Sequence, residues 1–210
     1  MSTITHMKTR NRKPKEQQVL KLARNSGVVS ASDVRSLGVH PECLRRLCAR
    51  GALVRIDRGL YQLPDAEVTA HHGLAQAAKA IPKGVVCLLS ALRFNEIGTQ
   101  APHEVWIAIN RRAAQPRIKQ QKVRIVLFSG KSLTEGVEEH TIEGVQVRIY
   151  SPAKTVADCF KYRNKIGLDV ALEALREALR TRKCSTDELW KYAKICRVTK
   201  TVRPYMEATV

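Results

Sequence analysis

The chain has 210 residues, 44% of them hydrophobic, which is enough to bury the core of one large domain or of two modest ones. Lys and Arg number 37 against 19 Asp and Glu, so the formal charge is +18 and a polyanion such as nucleic acid is the natural partner, with an ordinary basic surface as the alternative. No apolar run approaches the roughly 18 residues of a membrane span, and residues 1–15 are polar and basic. These features exclude a membrane protein and lead us to expect a cytoplasmic one without a secretory leader.

The cysteines and histidines show no metal-binding pattern. The six cysteines include no C-x-x-C pair, and none lies near a histidine at zinc-ligand spacing, so we expect reduced thiols that mostly fill cores. His71 and His72 are adjacent, and neighbouring residues on a helix point about 100° apart, so they make a poor shared metal site. The sequence also lacks a nucleophile elbow, a metalloprotease motif and a phosphate-cradling glycine loop. We therefore expect no metal, no cofactor and no enzymatic activity.

The N-terminal part of the chain reads as a basic arm followed by a helix. Residues 1–14 have no apolar period, which predicts a disordered arm, either a free terminus or a segment that tracks phosphates. A helical pattern starts at Lys15 and closes at Gly27. Val28 and Val29 then form a short strand of the kind that pairs with a hairpin. These features open a predicted domain over residues 15–66.

Two short helices follow with the spacing of a helix-turn-helix. The first opens at Ser30, where Asp33 three residues later gives a partial capping box, and it stops at Gly38. The second opens at Pro41, a favoured first helical residue, and ends at Gly51. Within the second helix the arginines share one face and the leucines share the other. The pattern predicts a helix that packs on one side and presents guanidinium groups on the other.

A basic hairpin comes next. Residues 53–56 and 60–63 have strand composition, and the turn at residues 57–59 contains a glycine that can adopt a positive φ. Two helices followed by such a hairpin predict a winged helix-turn-helix domain that binds double-stranded DNA, with the second helix in the major groove and the hairpin as the wing. The candidate DNA contacts are Arg35, His40, Glu42, Arg45, Arg46, Arg50, Arg55 and Arg58.

Arginine suits such a surface because its guanidinium offers a fixed fork to the paired acceptors of guanine and to phosphate. Glu42 either accepts a hydrogen bond from a cytosine amine or pairs with Arg46 four residues later. Arg55 and Arg58 are the positioning contacts of the predicted wing. A solvated basic helix and a winged domain that binds protein stay open as alternatives.

Residues 67–210 predict a mixed α+β domain, with the boundary between Pro64 and Thr69. A helix over residues 68–81 leads into an apolar run at 85–89 and a short helix that starts at Ser90. The strand signals predict a sheet of four or five strands, largely antiparallel where hairpins dictate it. They cover residues 104–109, 123–128, 137–142 and 145–150, the last two joined by a polar turn at Glu143-Gly144.

The loop between the first two of these strand signals is strongly basic. It contains no acidic residue, and it reads either as a second contact to phosphate or as a solvated connection. The candidates for the second phosphate contact are Arg111, Arg112, Arg117, Lys119, Lys122 and Arg124.

A helical cluster completes the second domain. Ser151 caps a helix with Pro152 at its first position, which runs to about Arg163, and within it Lys154 and Asp158 form an i, i+4 pair. Further helical patterns cover residues 169–182, 185–196 and 202–208. From the residues alone this is a capped helix within a packed cluster, and it carries no chemistry.

The run SPAKTVADCFKYRNKIGLDVALEALREAL, residues 151–179, resembles the hallmark segment of the AbiEi-type antitoxins, which are the transcriptional-regulator halves of AbiE abortive-infection systems. Residues 27–64 resemble the N-terminal winged helix-turn-helix of that family, including an R-[ILV]-x-R-G-x-Y wing at residues 55–61. Residues 88–92 and 104–109 occur in the order of the family. The likeness spans about residues 15–185 and is weakest beyond Ser185.

The resemblance implies a DNA-binding autorepressor that binds inverted repeats ahead of its own operon. It also implies an antitoxin of a type IV toxin–antitoxin system that counters a nucleotidyltransferase-like toxin, generally without forming a stable complex with it. Lys154 and Asp158 match the family segment, and we expect them to be structural. No heptad seam is left over for a dimer, so we expect a monomer in solution. The alternatives are a winged targeting module fused to a nuclease-like C-terminal domain, and a protein-interaction module.

Overall fold

The computed structural model describes residues 12–66, 69–116 and 122–208. Within these ranges the chain divides into two compact units. The first contains residues 12–66, 69–80 and 141–146, and the second contains residues 81–116, 122–140 and 147–208. The sequence placed the boundary between Pro64 and Thr69, whereas the first unit extends to Ala80 because the helix after the wing packs with it. Residues 1–11, which make up most of the predicted arm, lie outside the described residues.

The first unit is the winged helix-turn-helix that the sequence predicts. It contains α1 (Arg12–Ser26), β1 (Val28–Ser30), α2 (Ala31–Ser36), α3 (Glu42–Ala49), β2 (Val54–Asp57), β3 (Leu60–Gln62) and α4 (His72–Ala80). The strands form an antiparallel sheet in the order β1-β3-β2, so the short strand after α1 does pair with the wing. Helix α1 begins at Arg12 and takes in the last residues that the sequence assigned to the arm.

Local sequence signals set the ends of the two short helices. Ser30 and Asp33 form a full capping box, in which the Ser30 hydroxyl accepts from the Asp33 amide at 3.2 Å and the Asp33 carboxylate accepts from the Ser30 amide at 2.8 Å. The sequence predicted that Pro41 is the first residue of α3. In the structure Pro41 lies at the N-cap, and the helix begins one residue later at Glu42. The buried residues of these helices and their neighbours form one core, made of Val19, Ala23, Val29, Val34, Val39, Cys43, Leu44, Leu47 and Leu53.

The second unit contains a mixed sheet covered by helices. Its elements are β4 (Val85–Val86), α5 (Leu88–Phe94), β5 (Val105–Asn110), β6 (Val123–Phe128), α6 (Lys131–Thr134), β7 (Val137–Ile142), β8 (Val145–Tyr150), α7 (Pro152–Lys161), α8 (Arg163–Ile166), α9 (Leu168–Arg180), α10 (Thr186–Cys196) and α11 (Thr199–Glu207). The turn that joins β7 and β8 is counted with the first unit. The strand order is β6-β5-β4-β8-β7, and the α+β class predicted from the sequence is confirmed.

The sheet is less antiparallel than the sequence predicted. Strands β4 and β5 pair antiparallel, but β4 pairs parallel with β8 and β5 pairs parallel with β6 over its whole length. A parallel pair needs a crossover connection of about a dozen residues or more, and the basic loop between Asn110 and Val123 is long enough to supply one. No hairpin was predicted between these two strands, so the sequence left their direction open.

Helix α7 is buried along nearly its whole length. Every residue from Ala153 to Phe160 is buried, and Lys154 and Asp158 are both 0% exposed. The Lys154 ammonium donates to the Asp158 carboxylate and lies 4.1 Å from the centre of the Tyr150 ring. The Cys196 thiol donates to the second Asp158 oxygen at 3.2 Å. The pair that the sequence placed on an ordinary capped helix therefore lies inside the core of the second unit.

The cysteines and the helix lengths agree with the sequence. All six cysteines are free, and five of them are buried. In the part of the chain that is described, no helix is long and apolar enough to cross a membrane.

Candidate DNA-binding surface

Helix α3 has one packed face and one open face, as its period predicts. Cys43, Leu44 and Leu47 are buried, with at most 2% of their surface exposed. On the other side the Arg45 side chain is 82% exposed. Burial of the apolar face fixes the helix on the domain, so the direction in which Arg45 projects is determined by the core beneath it.

Glu42 pairs with Arg45 and not with Arg46. The Arg45 Nε donates to Glu42 Oε1 at 2.8 Å, and its Nη2 lies 2.8 Å from the same oxygen. The sequence alternative of an i, i+4 pair with Arg46 is wrong, because Arg46 turns towards α1. Both members of the observed pair are exposed, so the bond is weak in water and Arg45 can exchange it for a DNA acceptor at small cost.

Arg46 and Arg50 converge on Glu16 of α1. Arg50 Nη2 lies 2.6 Å from one Glu16 carboxylate oxygen, and Arg46 Nη2 lies 3.8 Å from the other. The Glu16 side chain is only 15% exposed. The Arg46 Nε is buried and has no hydrogen-bond partner among the described residues. Two of the three arginines predicted to contact DNA from this helix and its C-cap are therefore held partly neutralised.

Sequence reasoning missed Glu16, although one signal was available. Glu16 is the only acidic residue before Asp33, in a segment that is otherwise strongly basic. A single carboxylate in a basic segment would repel the phosphates of DNA. Its presence therefore indicates a cationic partner within the fold. The partner, however, is 30 or more residues away, and only the packing of α1 against α3 reveals it.

Arg35 and His40 precede α3 in the chain and are exposed. The His40 Nδ1 accepts the backbone N–H of Glu42 at 3.2 Å. This bond satisfies a free amide at the start of α3, a position where Pro41 offers no side-chain cap. His40 thus has a capping role beside the contact that the sequence predicts for it.

The wing ends in a short turn with Arg58 at its tip. The Asp57 carboxylate is buried and accepts the Arg58 amide at 2.5 Å, while Arg55 Nε donates to the Asp57 carbonyl at 3.1 Å. Gly59 has φ +77°, which confirms the positive φ predicted for this turn. The pairing slips by one residue between Arg55 and Asp57. Arg55, in β2, and Arg58, in the turn, are both exposed, and partly buried hydrogen bonds hold the turn in shape.

The basic loop of the second unit is more varied than its composition indicates. Arg124 Nε lies 2.6 Å from Glu104 Oε1, and its guanidinium stacks 4.7 Å from the centre of the Trp106 ring. Arg111, Arg112 and Lys122 are exposed. Arg117 and Lys119 lie outside the described residues. Glu104, the residue before β5, therefore supplies to Arg124 of β6 the acid that the loop lacks.

Two carboxylates fasten α4 within the first unit. Lys79 Nζ lies 2.7 Å from the Asp33 carboxylate, and His72 Nδ1 lies 2.6 Å from Glu143. Burial raises the pKa of both acids, but hydrogen bonds to their carboxylates outweigh this effect. Hydrogen bonds from Lys79 and Ser30 lower the pKa of Asp33. Those from His72 and Thr69 lower the pKa of Glu143. Among the described residues no cluster of His, Cys, Asp and Glu has the makings of a metal site.

Comparisons with known proteins bear on both units. Residues 17–64 match a family described as "Transcriptional regulator, AbiEi antitoxin", so the resemblance inferred from the sequence is confirmed over this segment. Among solved structures, the chain is similar to the crystal structure of the RV2827C protein from Mycobacterium tuberculosis. The identity is 14%, the TM-score is 0.57, and the alignment covers 86% of this chain and 71% of that one, which shows a shared fold. A search of curated proteins gives no match.

Proposed function

We propose, from the premise that residues 17–64 carry the regulator module of the AbiEi antitoxins, that this chain is a DNA-binding autorepressor and the antitoxin of a type IV toxin–antitoxin system. It binds inverted repeats of double-stranded DNA upstream of its own operon. It counteracts a nucleotidyltransferase-like toxin without forming a stable complex with it. It acts in the cytoplasm as a monomer, without catalysis.

The open face of α3 is the observation that carries the proposal. Arg45 projects from a helix whose opposite face is fixed in the core, which is the arrangement that an α-helix needs to read base edges in the major groove. Arg58 lies at the tip of the wing, where a hairpin meets the sugar-phosphate backbone. Arg35 and His40 flank the same helix. These contacts come from separate elements, so the fold rather than any single segment positions them.

The charge of the molecule supports the same partner. The first 64 residues contain 13 Lys and Arg against 4 Asp and Glu, about half of the total excess. The remainder lies in the second half of the chain, where Arg111, Arg112 and Lys122 are exposed and Arg117 and Lys119 complete the proposed second phosphate contact. Such an excess draws the protein to DNA before any base is read.

The test of DNA binding compares two arginines with similar surroundings. Arg45 and Arg180 are both highly exposed, at 82% and 74%, and each faces a glutamate three residues earlier on its helix. We expect Arg45→Ala to weaken binding to the upstream operator DNA by roughly 1–3 kcal/mol and to flatten the preference over unrelated DNA. Arg180→Ala should leave operator affinity unchanged. Equal affinity of Arg45→Ala and the unaltered protein in a gel-shift titration would overturn the assignment of α3.

The antitoxin role is tested separately. Expression of the neighbouring nucleotidyltransferase-like gene should arrest growth, and co-expression of the intact chain should restore it. Arg45→Ala should still restore growth while losing repression of the operon, because regulation and antitoxicity lie in different parts of the chain on this proposal. Co-purification of the two proteins in equal amounts would contradict the absence of a stable complex. Metal-dependent cleavage of DNA or RNA by the purified chain would contradict the absence of catalysis.

A further inference from the structure

Four cations of the second unit converge on one cleft that the DNA-binding proposal does not use. The cleft has a volume of about 590 Å³. Lys131, Lys161, Lys194 and Arg197 line it, together with Ser129 and Ser132, and no acidic side chain is among its described lining residues. The four cations come from α6, from the end of α7 and from the end of α10. Lys131, Lys161 and the Lys194–Arg197 pair belong to three segments that are distant in sequence, so the fold brings these segments together.

None of these four cations forms an ion pair within the described ranges, whereas other cations of this unit do. Arg124 has Glu104, and Lys154 has Asp158. Four like charges around one concavity repel one another. An anion in the cleft relieves that repulsion. The cleft therefore carries positive charge that no acidic side chain of the described residues neutralises.

The backbone around the cleft takes two uncommon conformations. Gly130 has φ 54° and ψ −143°, close to a region that is essentially restricted to glycine, and it turns the chain from β6 into the Lys131 position. Arg197 has φ 60° at the end of α10, a left-handed position that glycine or asparagine usually fills. The chain thus keeps an arginine where a glycine has less strain, and this arginine lines the cleft.

A hydrogen bond joins two of the segments that form the cleft. The Ser132 hydroxyl donates to the Ile195 carbonyl at 3.2 Å, which ties α6 to the last turn of α10. The helix dipole favours cations at the C-terminal ends of α7 and α10. It therefore accounts separately for the presence of Lys161 at the end of α7 and of Lys194 at the end of α10. It does not explain why both helix ends meet Lys131 and Arg197 around the same cleft.

We propose that this cleft binds a small anion with two or more phosphoryl groups, such as free polyphosphate or the phosphate chain of a nucleotide. The volume lies within the range of small-molecule sites, and the cations surround a concavity instead of following a ridge, which favours a compact anion over the backbone of a duplex. Lysine and arginine are the side chains that bind phosphoryl oxygens most strongly, and Ser129 adds a hydroxyl donor.

The test titrates the intact chain with inorganic tripolyphosphate, ATP and a single-stranded oligonucleotide by calorimetry, at about 50 mM and about 200 mM salt. The variant Lys161→Gln/Arg197→Gln removes two charges of the cleft. The matched control, Lys200→Gln/Arg203→Gln, removes two exposed charges of α11 that do not line the cleft. We expect tripolyphosphate to bind the intact chain, the cleft variant to bind it at least about tenfold more weakly, and the control to bind it within about twofold.

The ATP arm identifies the source of the phosphate. Equal affinity for ATP and tripolyphosphate supports a site that reads phosphate alone, and tighter binding of ATP supports a nucleotide site. Equal losses in the cleft variant and the control would overturn the proposal, since the attraction would then be diffuse. The proposal would also be overturned if the intact chain bound the oligonucleotide but not tripolyphosphate, and if only the cleft variant lost the oligonucleotide binding. Lys131→Gln/Lys194→Gln repeats the test if the first variant melts at a lower temperature than the control.

Discussion

On our proposal, Glu16 determines which of the arginines at residues 45, 46 and 50 are free to contact DNA. It lies within 2.6 Å of Arg50 and 3.8 Å of Arg46, and it is largely shielded from water, so its attraction for them is less screened than that of an exposed pair. Arg45 has only an exposed partner. The three arginines therefore differ in function on our proposal: Arg45 is free to read a base, while Arg46 and Arg50 are held in fixed positions.

Replacing Glu16 by Gln should change specificity more than affinity. The substitution adds one unit of positive charge to the surface and releases Arg46 and Arg50, so binding to unrelated DNA should strengthen while the ratio of operator to unrelated affinity falls. Fluorescence anisotropy with the two DNAs measures both. Asp65→Asn, which removes an exposed acid elsewhere in the first unit, is the control and should leave the ratio unchanged. A higher ratio in Glu16→Gln would contradict the ordering role of Glu16.

Asp158 should be among the most sensitive residues of the second unit. Asp158→Asn leaves the Lys154 ammonium buried without a countercharge, and we expect a loss of roughly 3–5 kcal/mol in the free energy of unfolding. The double variant Lys154→Met/Asp158→Leu removes both charges and should recover most of this loss. Arg180→Ala, which breaks an exposed pair, should cost less than about 1 kcal/mol. Urea unfolding measures all three, and a mild effect of Asp158→Asn would show that water reaches the pair.

Among the elements, the start of α2 makes the stability of the winged domain depend on pH. The pKa of Asp33 lies below its ordinary value of 3.8, because hydrogen bonds from Lys79 and Ser30 outweigh the effect of burial. An acid whose folded pKa is lowered stabilises the fold fully above its unfolded pKa, and that stabilisation disappears as the pH falls through the folded pKa. The capping box therefore holds at neutral pH and fails only in acid.

The difference in unfolding free energy between the unaltered chain and Asp33→Asn should follow this dependence. We expect the variant to be less stable by about 1 kcal/mol at neutral pH, the usual size of a capping contribution. The difference should shrink as the pH falls below about 4. Urea unfolding at a series of pH values measures it, with Asp65→Asn as the control. A difference that grows in acid would mean that another group governs the start of α2.

Local elements were predictable from the sequence, and contacts across the fold were not. The capping box at Ser30, the glycine turn of the wing and the hairpin at Glu143-Gly144 depend on residues a few positions apart, so the sequence contains the whole signal. The parallel pairing of β5 and β6, the burial of Lys154 with Asp158, and the partner of Arg46 depend on which elements pack together. The candidate DNA contacts were thus predicted by type and face, while their ion-pair partners required the structure.

For the molecule as a whole, our proposal implies that the +18 charge governs the strength of DNA binding and its dependence on salt. The logarithm of the association constant should fall linearly with the logarithm of salt concentration, with a slope of about −0.9 for each phosphate that is neutralised. Arg58→Ala should make this slope shallower by about one unit if the wing tip contacts phosphate. Arg45→Ala should lower operator affinity with little change of slope. Gel-shift titrations at four salt concentrations distinguish the two roles, and identical slopes for the unaltered chain and Arg58→Ala would contradict the assignment of the wing.

The positions of Glu16 and Lys79 also determine the limits of a fragment that contains the complete winged domain. The family match covers residues 17–64, so a fragment with those limits omits Glu16 at one end and Lys79 at the other. It would keep every candidate DNA contact of the winged domain and lose the acid that holds Arg46 and Arg50, as well as the ammonium that binds the cap of α2. Such a fragment should bind DNA with less discrimination than the intact chain. On our proposal, the unit that discriminates between DNA sequences is therefore larger than the matched segment and begins no later than Glu16.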